Sequence, residues 1–217
     1  MAYRRTENVA RKLAARRVAI LTAAEAAARE GGMGAVQIAA VAARAGIAAG
    51  TVYRYFPSKT DLVFALVAAL SEREVAALRK AADAAPGPLS ALTATIGALA
   101  RRALSERKLA AALLVDPVEA DIDAERREYR RRLAAEVAAR ITTANAGGFL
   151  PNGDATLSAT AIIGALVEGL LGPLASRIEE GAEQQSAVQT LTLHCLRALG
   201  IVDARARGLV AQFAWRV

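Results

Sequence analysis

Apolar residues recur at helical spacing along most of the chain, and β-branched or aromatic runs are scarce, so the pattern predicts an all-α fold of about nine helices. The first is expected from about Glu7 to Arg29, with Val18, Leu21, Ala24 and Ala28 as its buried stripe and Gly31-Gly32 as its stop. Two short helices follow, roughly Gln37 to Arg44 and Ala49 to Tyr55, separated by a tight turn at Gly46. Ser58 reads as an N-cap, with Asp61 completing a capping box, for a helix reaching about Ala82. After the connector APGP come helices from about Leu89 to Ser105 and Leu109 to Val115. A long charged helix is expected from about Ile122 to Asn145, with Ile122, Tyr129, Leu133, Val137 and Ile141 on one face. Asp154 reads as the N-cap of the next, predicted to continue to about Glu180 with a bend at Gly172-Pro173. A last long helix covers about Glu183 to Leu199, and the tail from Ile201 to Val217 is expected to hold one more turn or two.

Composition supports this outline and sharpens it at one end. Hydrophobic residues are 54% of the 217, much of it alanine, which loses no side-chain entropy in a helix. No apolar run reaches the ~18 residues of a membrane span. The basic N-terminus has no apolar core or cleavage site of a secretory signal, and the single cysteine, Cys195, forbids an internal disulfide. A soluble, cytoplasmic protein is therefore expected. The net charge of +7 is unevenly placed. Residues 1–60 hold ten Lys and Arg against three Asp and Glu, whereas residues 61–217 hold eighteen of each. A basic module joined to a neutral one points to a polyanion partner for the first, the alternative being a solvated basic face.

That module contains the stretch GIAAGTVYRYFPSK, residues 46–59, with three of the chain's nine aromatic residues. Val41, Ala45 and Ile47 are apolar where a first helix and turn must face a core, and Ala42 is small where two helices cross. Val52 returns the second helix to the core, leaving Ala48, Ala49, Gly50, Thr51 and Arg54 pointing outward. This is the spacing of a helix-turn-helix. Small residues at the start of the second helix let its backbone approach a groove, and Thr51, Tyr53 and Tyr55 offer hydroxyls to phosphate or base edges.

Residues 41–62, VAARAGIAAGTVYRYFPSKTDL, resemble the DNA-binding motif of the tetracycline-repressor (TetR) family over the first four helices. The likeness rests on Val41, Ala42, Ala45, Gly46, Ile47, Gly50, Thr51, Val52, Tyr53, Tyr55, Phe56, Ser58, Lys59 and Leu62. It implies a helix-turn-helix domain at residues 1–60, the fourth helix at 58–82 as connector, and an effector-binding and dimerisation domain at 61–217. By resemblance, Thr51, Tyr53 and Lys59 contact phosphates, Ala49, Gly50, Arg54 and Tyr55 lie at base edges, and Phe56 is core. Gln37 stands where the family usually has a backbone-contacting threonine, and Ala48 replaces a common serine. Arg44 reads either as a phosphate contact or as a solvated charge. Arg4, Arg5, Arg11 and Lys12 read as a minor-groove arm or as a basic tail.

The remainder carries no family-wide signature. Small residues on the helix after Asp154 (Ala161, Gly164, Ala165, Gly169, Gly172) and an apolar face on the last helix (Val188, Leu191, Cys195, Leu199) suit either a four-helix homodimer interface or internal packing. Arg126, Tyr129 and Glu168 interrupt apolar stripes and are candidates for the border of a small-molecule effector pocket, the alternative for Arg126 being an ion pair with Asp116 or Glu119. His194 and Cys195 read as packing residues rather than ligands or a redox pair. One histidine and one cysteine disfavour zinc or Cys-His chemistry, and no GxSxG, P-loop or dinucleotide fingerprint is present, so neither a catalytic residue, a metal nor a cofactor is expected. The expected function is a DNA-binding transcriptional regulator, a repressor released from a near-palindromic double-stranded operator by its effector. An all-helical binding protein or enzyme without a nucleic-acid role is the alternative, and it leaves the charge partition unexplained.

Overall fold

A computed structural model describes residues 2–117 and 120–213, the side chains of residues 2–8 and of Asp121 excepted. Among the described residues there are ten α-helices, one 3-10 turn and no strand. The helices are α1 (Ala2–Gly31), α2 (Ile38–Arg44), α3 (Ala49–Tyr55), α4 (Lys59–Asp83) and α5 (Pro88–Ser105). They continue with α6 (Arg107–Leu114), α7 (Ala120–Ala146), α8 (Ala155–Leu170), α9 (Ala182–Ala198) and α10 (Asp203–Gln212); the 3-10 turn is Met33–Ala35. No described helix is long and apolar enough to cross a membrane.

The caps follow from local chemistry. Asp61 N donates to Ser58 Oγ at 3.0 Å while Ser58 N donates to Asp61 Oδ2 at 3.0 Å, so two otherwise orphaned N–H groups are satisfied reciprocally at the start of α4. Asp154 Oδ1 accepts from the N–H of both Thr156 and Leu157 at 2.9 Å. Pro88 opens α5, where its missing N–H costs nothing.

α5 is the centre of the larger half and packs against α4, α6, α7, α8, α9 and α10. A helix covered on so many sides cannot be amphipathic in the usual sense. It buries Leu92, Ile96 and Leu99 together with Thr93 and Thr95, whose hydroxyls donate back to the carbonyls of Leu89 and Ala91 at 2.8 and 2.9 Å. The predicted stripe of α7 is buried throughout, and its outer face is held by pairs such as Arg131–Glu128 at 2.7 Å. The smaller half is α1–α3, joined to the rest through α4 and by contact of α1 with α6.

Three expectations are corrected. Val18 is 62% exposed rather than buried; the stripe of α1 runs through Ile20, Ala23, Ala24, Ala27 and Ala28, because Ile20 rather than Val18 is in phase with the alanines that face the core. α8 stops at Leu170 instead of continuing to Glu180. Pro173 cannot donate to the ladder, and Glu168 instead accepts from the Leu174 N–H at 3.4 Å, which ends the turn. The tail forms α10, a helix of ten residues that packs on α5 and α9, rather than a turn or two.

Candidate functional site

The outward face of α3 is created by what its inward face must do. Val41, Ala42 and Val52 are buried where α2 and α3 meet, and Phe56, 2% exposed, closes the motif with the Arg17 guanidinium 4.8 Å above its ring. Between the helices, Gly46 takes φ +64°. Its N–H donates to Ala43 O at 3.2 Å and the Ile47 N–H donates to Ala42 O at 3.0 Å, the paired bonds of a left-handed helix stop that a Cβ would strain. With the inner face so occupied, Ala48, Ala49, Gly50 and Arg54 are exposed. Tyr53 is 50% exposed. Thr51, Tyr55 and Lys59 are half-buried. A Cβ built on Gly50 would meet nothing within 4 Å, so internal packing does not require glycine there.

Lys59 is the first residue of α4, beside N–H groups that the Ser58 box satisfies only in part. Neither Arg54 nor Lys59 forms an ion pair among the described residues. Tyr55 lines a shallow groove with Val9, Leu13 and Arg16 of α1. Two other candidates are engaged internally. Gln37, the N-cap position of α2, turns its amide back to donate to Gly34 O at 2.9 Å, and Arg44 pairs with Glu30 of α1. The side chains of Arg4 and Arg5 lie outside the described residues.

A second feature lies between α4, α5, α6 and α7. A cavity of about 260 Å³ is walled by Leu99, Leu109, Leu113 and Leu114, with Tyr129 on one side and Ser105 and Glu106 at its exposed edge. Glu74 and Arg102 form a two-bonded pair on its border, 2.6 and 2.5 Å, which holds the Arg102 guanidinium above its usual pKa. Burial pushes the Tyr129 hydroxyl well above the ordinary tyrosine range, with the nearby Glu74 charge acting in the same direction.

Of the three residues named from sequence for such a pocket, Tyr129 lines it. Arg126 sits behind the wall: it is 5% exposed, its Nε donates to Leu113 O at 3.0 Å and its Nη1 to Asp116 O. It therefore serves the backbone at the end of α6 instead of a carboxylate, and burial followed by repulsion from Arg130 lowers its pKa. Glu119 lies outside the described residues. Glu168 is exposed on α8, bonded to the loop after it, and does not line this cavity. Glu74 and Arg102 were not legible as a pair, since nothing in a sequence joins positions 28 residues apart on different helices.

α6 also touches the small half. Arg29 of α1 makes a bidentate pair with Glu106 at 2.9 and 3.0 Å, Lys108 Nζ donates to Glu30 O at 3.2 Å, and Asp116 accepts from the Met33 N–H at 3.4 Å. Arg73 of α4 binds Glu25 of α1 at 3.1 and 2.7 Å. His194 is exposed; Cys195 is buried and its thiol is pushed up to about 11 by burial.

Residues 20–66 match the profile of a family described as bacterial regulatory proteins, tetR family. The HTH-type transcriptional repressor KstR of Mycolicibacterium smegmatis is 45% identical over 86 residues, which are 40% of this chain and 42% of that protein. The chain thus aligns with less than half the length of the curated repressors it matches. Among solved structures, RolR in complex with resorcinol superposes over 94% of this chain and 96% of its own, with a TM-score of 0.67 and 22% identity. FadR from Bacillus halodurans, a fatty acid degradation regulator, does so over 83% and 94%, with a TM-score of 0.71 and 20% identity. At those identities the two likenesses speak for the fold.

Proposed function

We propose that the chain is a member of the tetR family of bacterial regulatory proteins, as the match of residues 20–66 and the likeness to KstR support, and that it is a DNA-binding transcriptional repressor acting as a homodimer. The observation that carries this reading is the outer face of α3: Ala48, Ala49 and Gly50 are exposed, packing does not require glycine at Gly50, and the adjacent Arg54 and Lys59 form no ion pair among the described residues. A helix whose first turn bears no bulk can seat its backbone against base edges, and flanking cations neutralise phosphates. Thr51, Tyr53 and Lys59 take phosphates, and Arg54 and Tyr55 flank the bases. Gln37 and Arg44 support the motif through Gly34 and Glu30 and reach the backbone only if those bonds yield. A dimer places two such helices one helical turn apart, ~34–36 Å, on a near-palindromic site. The small-residue face of α8 with α9 is the interface of this proposal, and no catalytic step forms part of it.

The cavity bordered by Tyr129 is the effector site of the proposal. α6 forms one of its walls, and α6 with the residues flanking it, Glu106 and Asp116, holds Arg29, Glu30 and Met33 of the small half, so a ligand that moves α6 changes how the DNA-binding half is seated. An effector releases the operator to the extent that it binds the displaced arrangement more tightly. The test is fluorescence anisotropy with duplex DNA from upstream of the protein's own coding region. Specific, salt-sensitive binding at an inverted repeat is expected; affinity no greater than for scrambled duplex refutes the proposal.

A further inference from the structure

The cavity between α4, α5, α6 and α7 has an unusual balance of polar groups. Every charged side chain on its border is already partnered. Both carboxylate oxygens of Glu74 accept from Arg102, and both of Glu106 accept from Arg29. The Arg101 guanidinium lies over the Phe213 ring, 5.5 Å from its centre. Tyr129 differs. It is 3% exposed, it lines the cavity, and it brings a neutral hydroxyl rather than a charge to the wall. A neutral hydroxyl on the wall of a largely apolar cavity can donate to, or accept from, one polar atom of a ligand without leaving a charge uncompensated.

We propose that this cavity takes a small, uncharged, largely hydrocarbon molecule bearing one hydrogen-bonding oxygen, which the Tyr129 hydroxyl meets while Leu99, Leu109, Leu113 and Leu114 enclose the rest. The proposal rests on reading the cavity as the effector site and narrows the chemistry of what enters it. Two quantities select the class. The volume of about 260 Å³ lies below the roughly 300–1,000 Å³ of sites that bury drug-sized ligands, so a coenzyme thioester or a long acyl chain would be left largely outside it. An ionised ligand inside the cavity would have to take a partner from the Glu74–Arg102 pair, whose Glu74 side chain is 17% exposed, or stand unpaired among leucines, and each course leaves a poorly solvated charge uncompensated.

Four probes of graded chemistry test this with the full chain: 4-propylphenol, 4-propylacetophenone, 4-propylbenzoate and octanoyl-CoA, each measured by isothermal titration calorimetry. The phenol and the ketone are expected to bind in the micromolar to millimolar range, at least ten-fold more tightly than the benzoate or the thioester. Tyr129→Phe, which keeps the ring, should weaken both neutral probes about three- to ten-fold. Leu113→Trp, which fills the cavity, should abolish their binding. Circular dichroism confirms that each variant folds. The proposal is overturned if the anion or the thioester binds as tightly as the neutral probes. It is also overturned if no neutral probe binds at millimolar concentration, or if Tyr129→Phe and Leu113→Trp both bind like the parent. Operator binding without probe is followed in parallel: its absence alongside intact probe selectivity refutes the regulator reading and leaves the cavity's chemistry standing.

Discussion

Phe56 and Tyr53 lie three positions apart on one short motif, and their environments make opposite demands. Phe56 is 2% exposed and Tyr53 is 50% exposed. Truncating a buried phenylalanine to alanine costs about 3–5 kcal/mol, because the lost transfer energy is joined by a cavity that neighbours fill only in part. Val52, Val41 and Ile20 sit in helices pinned by their own contacts, so little collapse is available. The Arg17 guanidinium over the ring contributes roughly another 0.5 kcal/mol at a site so close to solvent. Phe56→Ala is therefore expected to destabilise by about 4 kcal/mol, roughly a thousand-fold in the folding equilibrium. With a urea dependence of about 2 kcal/mol per molar, the unfolding midpoint falls by about 2 M. Tyr53→Ala should move it by no more than about 0.25 M, as surface changes stay within roughly 0.5 kcal/mol. Urea denaturation followed by far-ultraviolet circular dichroism measures both. Equal losses for the two variants, or a loss under about 1 kcal/mol for Phe56→Ala, refute the division into an anchor and an exposed contact.

Further outcomes concern single groups. Lys59→Ala should weaken binding to all duplexes by a similar factor and reduce the salt slope by about one, whereas Arg54→Ala should change the preference among sequences; anisotropy against specific and scrambled duplexes separates the two. Arg126→Met removes a buried charge, which stabilises, and strips donors from the Leu113 and Asp116 carbonyls, which costs about 1–3 kcal/mol. The second effect should win and lower the melting temperature by several degrees; a higher melting temperature would mean that desolvation dominates. Cys195, its thiol raised to about 11, should react with a disulfide reagent at pH 8 far more slowly in the native chain than in urea. The native rate should climb as pH rises toward that value, because burial penalises the thiolate and base restores it. Arg29→Ala with Glu106→Ala should give a coupling below about 1 kcal/mol, since both partners are 44% exposed and solvent screens them; melting temperatures of the double-mutant cycle give it.

The local features were legible because they are written locally. The Ser58–Asp61 box, the Asp154 cap, the bounds of α3 and the stripe of α7 each depend on residues within a turn or two. Phe56 was expected in the core and is found there, and Tyr53 was expected at the surface and is found there. What could not be read is set by tertiary partners. Leu21 and Val18 keep helical spacing with Ala24 and Ala28, yet the helix is rotated so that Ile20 faces the core, and only the neighbours of α1 determine that rotation. The Glu74–Arg102 pair and the service of Arg126 to carbonyls likewise arise between helices. α10 is longer than the turn or two expected of the tail, because its apolar face is short and it is held as a helix by docking on α5 and α9.

The contact of α1 with α6 also has a meaning in time. Glu106 follows Arg29 by 77 residues. At synthesis rates of roughly 5–20 residues per second, the residues that pair with α1 emerge ~4–15 s after it does. The contacts among α1, α2 and α3 are close in sequence, and helices with such neighbours assemble in well under a second. A nascent chain would therefore expose a formed α3 face while the elements that grip it are still being made. In the proposed mechanism, the order of synthesis places the unregulated state first, and α6 is the late arrival that would bring an already folded surface under control.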